Sequence, residues 1–237
     1  MKKAIIIGAS TGIGREVSIR LSQKGYEVGL VSRRIEMLQE VQQELVGHSH
    51  IEAIDITNAQ QTRMGLNSLI EKMGTVDMII INAGIGVPDA NWEEEQRILQ
   101  TNVNGFTAVA NYAFEYFTSI GKGTLVGVSS VAGIRGGRRA TAYCASKAFV
   151  SSYLEGLRFR AMKENLKIQV TDIIPGFVET PMTSKLNYTF WMATSKTVAK
   201  QMIAAIERGK TKAYVTSRWW LVGLLMKIIP DKIYCQI

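Results

Sequence analysis

Tyr143 and Lys147 stand four residues apart in Tyr143-Cys-Ala-Ser-Lys147, inside a segment of helical period. That spacing puts both side chains on one helix face. A free tyrosine, with a pKa near ~10, is a poor proton donor and acceptor at neutral pH. An ammonium beside it favours the phenolate and brings its pKa toward the working range. The pair therefore suits proton movement at a carbonyl or alcohol oxygen, although in isolation the spacing is commonplace and reads as a surface pair. Upstream, Thr124-Leu-Val-Gly-Val-Ser129-Ser130 reads as a buried strand ending in hydroxyls. Ser130 then lies at the carboxyl edge of a sheet, where α/β sites form.

A second kind of chemistry is written near the N-terminus, where Gly8-Ala-Ser10-Thr11-Gly12-Ile13-Gly14-Arg15 follows an apolar strand and opens a helix. Glycines there permit a tight turn and bring backbone N–H groups against a pyrophosphate, and the helix start adds orphan donors and a positive dipole end. At the end of the second strand the chain reads Val31-Ser32-Arg33-Arg34, without a carboxylate. A carboxylate there would hold a ribose 2′-hydroxyl; a guanidinium instead pairs with a 2′-phosphate. The expected cofactor is NADP(H) in preference to NAD(H), and Arg33 is the residue expected to select it.

These groups need a scaffold, and the chain supplies one by alternating short apolar runs with longer stretches of helical period. Strands are predicted at 3–8, 26–32, 50–55, 76–82, 123–129, 167–174 and 212–216, and helices at about 12–24, 34–46, 59–73, 92–119, 141–164 and 196–209. The helical segments are long enough for right-handed crossovers. The fold class expected is α/β, a doubly wound parallel sheet of about seven strands with helices on both faces. One domain is expected over 1–237, with a short lid at about 177–195 and an apolar C-terminal segment, 218–237. Within it, 218–229 is apolar all round yet far below the ~20 residues that span a bilayer. It is expected to pack on the core or on a subunit partner, with a peripheral membrane contact or a greasy substrate entrance as the alternative.

Composition narrows the function classes. The net charge of +8 is scattered and not interleaved with aromatics, so no nucleic-acid partner is expected. Two cysteines suggest no disulfide framework, and the apolar run after Lys3 stops at Gly8, too short for a signal-peptide core; a cytoplasmic protein is expected. His48 and His50 lack neighbouring ligands, so no metal is expected. Glu93-Glu94-Glu95 reads as a helix start, Cys144 as packing volume, and Arg135, Arg138 and Arg139 as loop or subunit-contact residues, with selection of an anionic substrate as the alternative.

On these residues the chain resembles the short-chain dehydrogenase/reductase family, in its compact single-domain subgroup, over residues 1 to about 216. The family's glycine loop matches Gly8, Gly12 and Gly14, its Tyr-xxx-Lys pair Tyr143 and Lys147, and its serine, thirteen residues before the tyrosine, selects Ser130 over Ser129. Asn82-Ala83-Gly84, Asn102-Val-Asn-Gly105 and Pro175-Gly176 match further motifs. Ile7, Ile81 and Thr11 depart from the pattern, the last where NADP-using members often carry a second basic residue.

The resemblance implies that Tyr143 is the general acid in reduction, Ser130 hydrogen-bonds the substrate oxygen, Lys147 binds the nicotinamide ribose and lowers the tyrosine pKa, and Asn102 holds a proton-relaying water. It further implies that Asp55 and Ile56 meet the adenine and that Val178 and Thr180 meet the carboxamide. Hence the expectation is an NADPH-dependent ketone or aldehyde reductase with a small, rather hydrophobic substrate, assembled as a homodimer or homotetramer. An NAD-dependent alcohol dehydrogenase and a non-catalytic dinucleotide-binding protein are the alternatives.

Overall fold

The computed structural model describes residues 1–184 and 190–236. In chain order the strands are β1 (Lys3–Ile7), β2 (Glu27–Ser32), β3 (Ser49–Ala53), β4 (Met78–Ile81), β5 (Lys122–Val128), β6 (Lys167–Pro175), two short ones, β7 (Val178–Glu179) and β8 (Ala193–Thr194), and β9 (Lys212–Val215). Seven of them form one sheet in the order β3-β2-β1-β4-β5-β6-β9, every neighbouring pair parallel. The order reverses between β1 and β4, and that switch point opens a crevice at the carboxyl ends of the strands.

Strands this apolar belong inside a two-faced sheet. Side chains alternate across a strand, so Ala4 and Ile6 of β1 enter one core while Ile5 and Ile7 enter the other. The first core is closed by α1 (Gly12–Gln23), α2 (Ile35–Gln43) and α7 (Ser195–Glu207), through residues such as Leu21, Leu38 and Met202. The second is closed by α3 (Ala59–Met73), α5 (Phe106–Ser119) and α6 (Thr141–Lys163), through Leu66, Phe114 and Leu154. The doubly wound prediction holds, with strand and helix ends shifted by a residue or a few.

The predicted helix 92–119 is not uniform. It comprises α4 (Trp92–Leu99), a π-helical stretch at Gln100–Gly105, and α5. Glu94 closes a reciprocal cap with Asn91 at the start of α4, so the acidic run serves the helix end, as its dipole argument predicts. The π stretch widens the turn by one residue and carries Asn102. Gly105 at its end fits against Ile56, since a Cβ there would lie 2.8 Å from an Ile56 side-chain carbon.

Beyond β9 the chain forms α8 (Trp219–Ile228) and α9 (Asp231–Tyr234). Trp219 is 2% exposed and joins Val131 and Ile174 in a third small core. Its ring lies flush on Gly176, where any Cβ would come within 1.9 Å of it. Arg135 holds the segment from the other side, donating to the carbonyls of Met226 and Ile229 and to the Asp231 carboxylate, with its guanidinium 4.2 Å from the Tyr234 ring centroid. Among the described residues no helix is long and apolar enough to cross a membrane.

Candidate active site

The glycine loop leaves β1 and enters α1 directly. Gly8 adopts φ +87°, a left-handed conformation that costs a side chain dearly. Gly14 is required by closeness: a Cβ there would lie 2.1 Å from the Gly8 carbonyl oxygen and 2.7 Å from Asn82 Nδ2. Asn82 itself donates to that carbonyl at 3.0 Å, tying the end of β4 to the loop. The first turn of α1 has no side-chain cap and no acidic residue. Its leading N–H groups therefore face the crevice as free donors.

One cleft runs over the carboxyl ends of β1, β2, β4, β5 and β6. Gly8, Ser10, Thr11, Gly12 and Ile13 line its floor, Arg33, Asp55 and Ile56 one end, Asn82, Ala83 and Gly84 the middle, and Ser130, Tyr143, Lys147, Pro175, Val178 and Thr180 the other end. Gly14 and Asn102 alone of the expected residues stand behind the wall. Arg34, Ile85, Ser129, Gly176 and Met182 also line it and were not singled out by the sequence as site residues. The lid expected at about 177–195 is anchored by the β7–β8 pair; its middle, 185–189, lies outside the described residues. Thr180 reaches across, its methyl 3.0 Å from where a Gly12 Cβ would stand, so the two walls meet there.

At the adenosine end, Arg33 is exposed and enters no hydrogen bond or ion pair among the described residues. Arg34 donates to Ser10 Oγ at 3.3 Å. Asp55 is the single carboxylate of the lining among the described residues, and its Oδ1 accepts from Thr57 N at 3.0 Å and Thr57 Oγ1 at 2.7 Å, a cap on the turn after β3.

At the other end, Tyr143 and Lys147 project from the first turns of α6 toward Ser130. Ser130 Oγ accepts from Ala132 N at 3.1 Å, which leaves its own proton free to donate. It also hydrogen-bonds Tyr143, drawing the phenol pKa down, but burial is the larger effect and the net direction is upward. Here the structure differs from the expected lowering by Lys147. The Lys147 ammonium lies 5.8 Å from the tyrosine ring centroid and donates to the Val128 carbonyl at 2.8 Å. Burial lowers its pKa to about 8, against an opposing pull from Asp172.

Asn102 is 1% exposed and fully engaged. Its Oδ1 accepts from Ile85 N at 2.8 Å, and its Nδ2 donates to the Ile85 carbonyl at 2.8 Å and to Ser146 Oγ at 3.0 Å. Ser146 in turn donates to the Tyr143 carbonyl at 2.7 Å. Asn102 thus ties the turn after β4 to the catalytic turn of α6, and only a lone pair of Oδ1 remains for anything further. Gly84 lets this happen, since a Cβ there would stand 3.2 Å from Lys147 Nζ and 3.3 Å from Asn102 Oδ1.

Asp172 was not anticipated. It is fully buried in β6, and its Oδ1 accepts from Ser129 Oγ at 2.6 Å. Burial raises its pKa, while hydrogen bonds from Ser129 and Ser151 and the charges of Lys212 and Lys147 pull it down. A lone carboxylate in the apolar run Val-Thr-Asp172-Ile-Ile was the available signal, because buried charges require partners. Arg135 and Arg139 are committed elsewhere, Arg135 to α8 and α9 and Arg139 to Asp89. His50 Nε2 sits 3.0 Å from Glu27 Oε1, and no group of potential metal ligands occurs among the described residues.

The uncapped N–H groups at the start of α1, with Gly8 and Gly12 on the cleft floor, fit a nicotinamide dinucleotide laid along the cleft. Comparison with known proteins gives the family. A protein of Myxococcus xanthus named as an uncharacterized oxidoreductase is 33% identical over 98% of this chain and 94% of its own length. Carbonyl reductase family member 4 of Danio rerio is 29% identical over 77% of this chain and 78% of its own. The crystal structure of a short-chain type dehydrogenase/reductase from Mycobacterium marinum superposes with a TM-score of 0.82 at 26% identity, covering 90% of this chain and 93% of that one. The family profile described as short chain dehydrogenase matches residues 2–192, and the chain belongs to that family of oxidoreductases, which bind nicotinamide dinucleotides.

Proposed function

We propose that this chain is an NADP(H)-dependent reductase of ketones or aldehydes. What carries the reading is the convergence of Ser130, Tyr143 and Lys147 on the end of the cleft whose floor is the α1 N-terminus. When bound, the dinucleotide supplies the hydride for the carbonyl carbon. Ser130 exchanges its hydrogen bond with Tyr143 for one donated to the substrate oxygen and holds that oxygen against Tyr143. Tyr143, kept protonated by burial, gives its proton to that oxygen as negative charge develops. Lys147, held at the foot of the site by Val128, supplies the neighbouring positive charge. Asn102 fixes the α6 turn that aims Tyr143.

Arg33, exposed and unpaired at the adenosine end, favours a 2′-phosphate and so NADP(H) over NAD(H). The described lid residues Phe177, Phe190 and Trp191 cluster with Trp219, which favours a small apolar carbonyl compound as substrate. Exposed Trp92 and Leu99 on α4, and Phe159 and Met162 on α6, suit a homodimer or homotetramer built on these helices. A cytoplasmic location belongs to the same reading; Cys144 and Cys235 are both free thiols.

The test is steady-state turnover with NADPH and with NADH on a panel of aldehydes and ketones, wild type beside Tyr143→Phe. Loss of the positioned acid should lower kcat by roughly 10²–10⁴-fold. Absence of turnover by the wild type, or identical rates for both proteins, refutes the reading.

A further inference from the structure

Among the described residues the outer face of α8 has no partner. Trp220, Leu221, Leu224, Leu225 and Ile228 are between 44% and 68% exposed, whereas Trp219 and Gly223 are buried and Val222 and Met226 half-buried. At about 100° per residue, the five exposed side chains occupy an arc of roughly 140°, and the four inward ones centre on the opposite side. The helix is therefore amphipathic in placement while apolar in composition: one stripe is docked on the protein and the other faces outward. A contiguous exposed stripe of this kind marks a contact surface.

The charges around the stripe indicate what it contacts. By the same geometry, Arg218 and Lys227 each lie about 20° beyond one edge of the arc, so cations border it on both sides. Lys232 follows in α9, and the acid of that helix, Asp231, is already paired with Arg135. Lys227 and Lys232 enter no ion pair among the described residues. Against a second copy, an isologous contact would set this cationic rim against itself. An anionic surface meets it favourably, and Trp220 has the amphipathic ring that settles at a lipid headgroup boundary. At ten residues α8 cannot cross a bilayer, but it can lie in the interface with long basic side chains reaching the headgroups.

We propose that α8 docks the protein on an anionic lipid bilayer, through this stripe and its basic borders. The inference does not depend on the oxidoreductase chemistry proposed above.

Flotation of the full-length protein with phosphatidylcholine vesicles, with and without about a third phosphatidylglycerol, tests it. The wild type should float with the anionic vesicles, remain behind with neutral ones, and be released by ~0.5 M salt. Leu224→Ser combined with Leu225→Ser should abolish flotation with an unchanged circular dichroism spectrum. Because a surface-polar variant could still misfold, Lys227→Gln with Lys232→Gln gives an independent reading. At roughly fivefold per cation it should weaken binding by about 25-fold. Flotation that ignores lipid charge, flotation that survives the leucine changes, or none with either vesicle overturns the proposal. So does a concentration-dependent dimer that the leucine changes dissolve without any vesicle binding, which would assign the face to a second copy.

Discussion

Replacing Lys147 by Met should destroy activity and make the protein more stable. Lys147 is 5% exposed, and its ammonium donates to the Val128 carbonyl at 2.8 Å. Burial lowers its pKa from 10.5 to about 8. A displacement of that size means that keeping the charged form inside costs on the order of 3 kcal/mol at neutral pH. Met is similar in length, flexible and apolar, so it fills the channel without that cost. It also abandons the Val128 carbonyl, which returns about 1–2 kcal/mol. The remainder, about 1–2 kcal/mol in favour of the variant, corresponds to a melting temperature higher by ~2–8 °C for a chain of this size.

The pH dependence gives the sharper check. Below about pH 8 the lysine is protonated in both folded and unfolded states, and the folded state carries the full penalty. Between about 8 and 10.5 the folded lysine releases its proton while the unfolded one keeps it, so wild-type stability rises with pH relative to the variant. The gap in melting temperature should thus be widest near pH 7 and close as pH approaches 10. Titrations of groups not coupled to Lys147 are common to both proteins and cancel in the difference. Thermal unfolding of the two proteins across this range is the assay. A variant that melts at or below the wild type at pH 7, or a gap that does not change with pH, refutes the reasoning.

Three further outcomes are expected. Arg33→Ala should raise KM for NADPH by ~10–100-fold, the worth of one charge-assisted contact, and leave KM for NADH nearly unchanged; equal losses for both cofactors would remove the 2′-phosphate assignment. Asp172→Asn removes the carboxylate that raises the Lys147 pKa, so the lysine should titrate still lower and the alkaline limb of the kcat profile should move to lower pH, an unmoved limb showing that the two groups are not coupled. Arg135→Ala frees the carbonyls of Met226 and Ile229 and should lower the melting temperature by ~4–8 °C, with faster hydrogen exchange confined to α8, α9 and the loop before α6; unchanged exchange there would show that Trp219 alone secures the segment.

The parts of the molecule legible in its sequence are those set by local chemistry. Strands buried on both faces declare themselves as runs such as Ala4–Ile7. The glycine loop is legible because a missing Cβ is a sequence fact, and its geometric reason at Gly14 lies within the same turn and its neighbour Asn82. What was not legible depends on groups distant in sequence. The π stretch at 100–105, Gln-Thr-Asn-Val-Asn-Gly, is poor in helix formers, but that composition does not specify a π turn, which is set by packing against Ile56 and the turn at Ile85.

The direction of the Tyr143 pKa follows the same rule. The spacing from Lys147 shows that the two share a helix face, but the net shift is decided by desolvation, which outweighs the Ser130 hydrogen bond, while the ammonium is held on the Val128 carbonyl. Arg135 is the clearest instance. In sequence it is one of three loop arginines between Ser130 and Tyr143, suited to decoration or to binding an anion. In the fold it grips residues over ninety positions away. The loop that carries Ser130 into α6 is thereby fastened to the same terminal segment whose Trp219 lies on Gly176 at the cleft wall. A change in how α8 is seated therefore reaches the site from two sides, through Arg135 to the serine–tyrosine loop and through Trp219 to the Pro175-Gly176 turn.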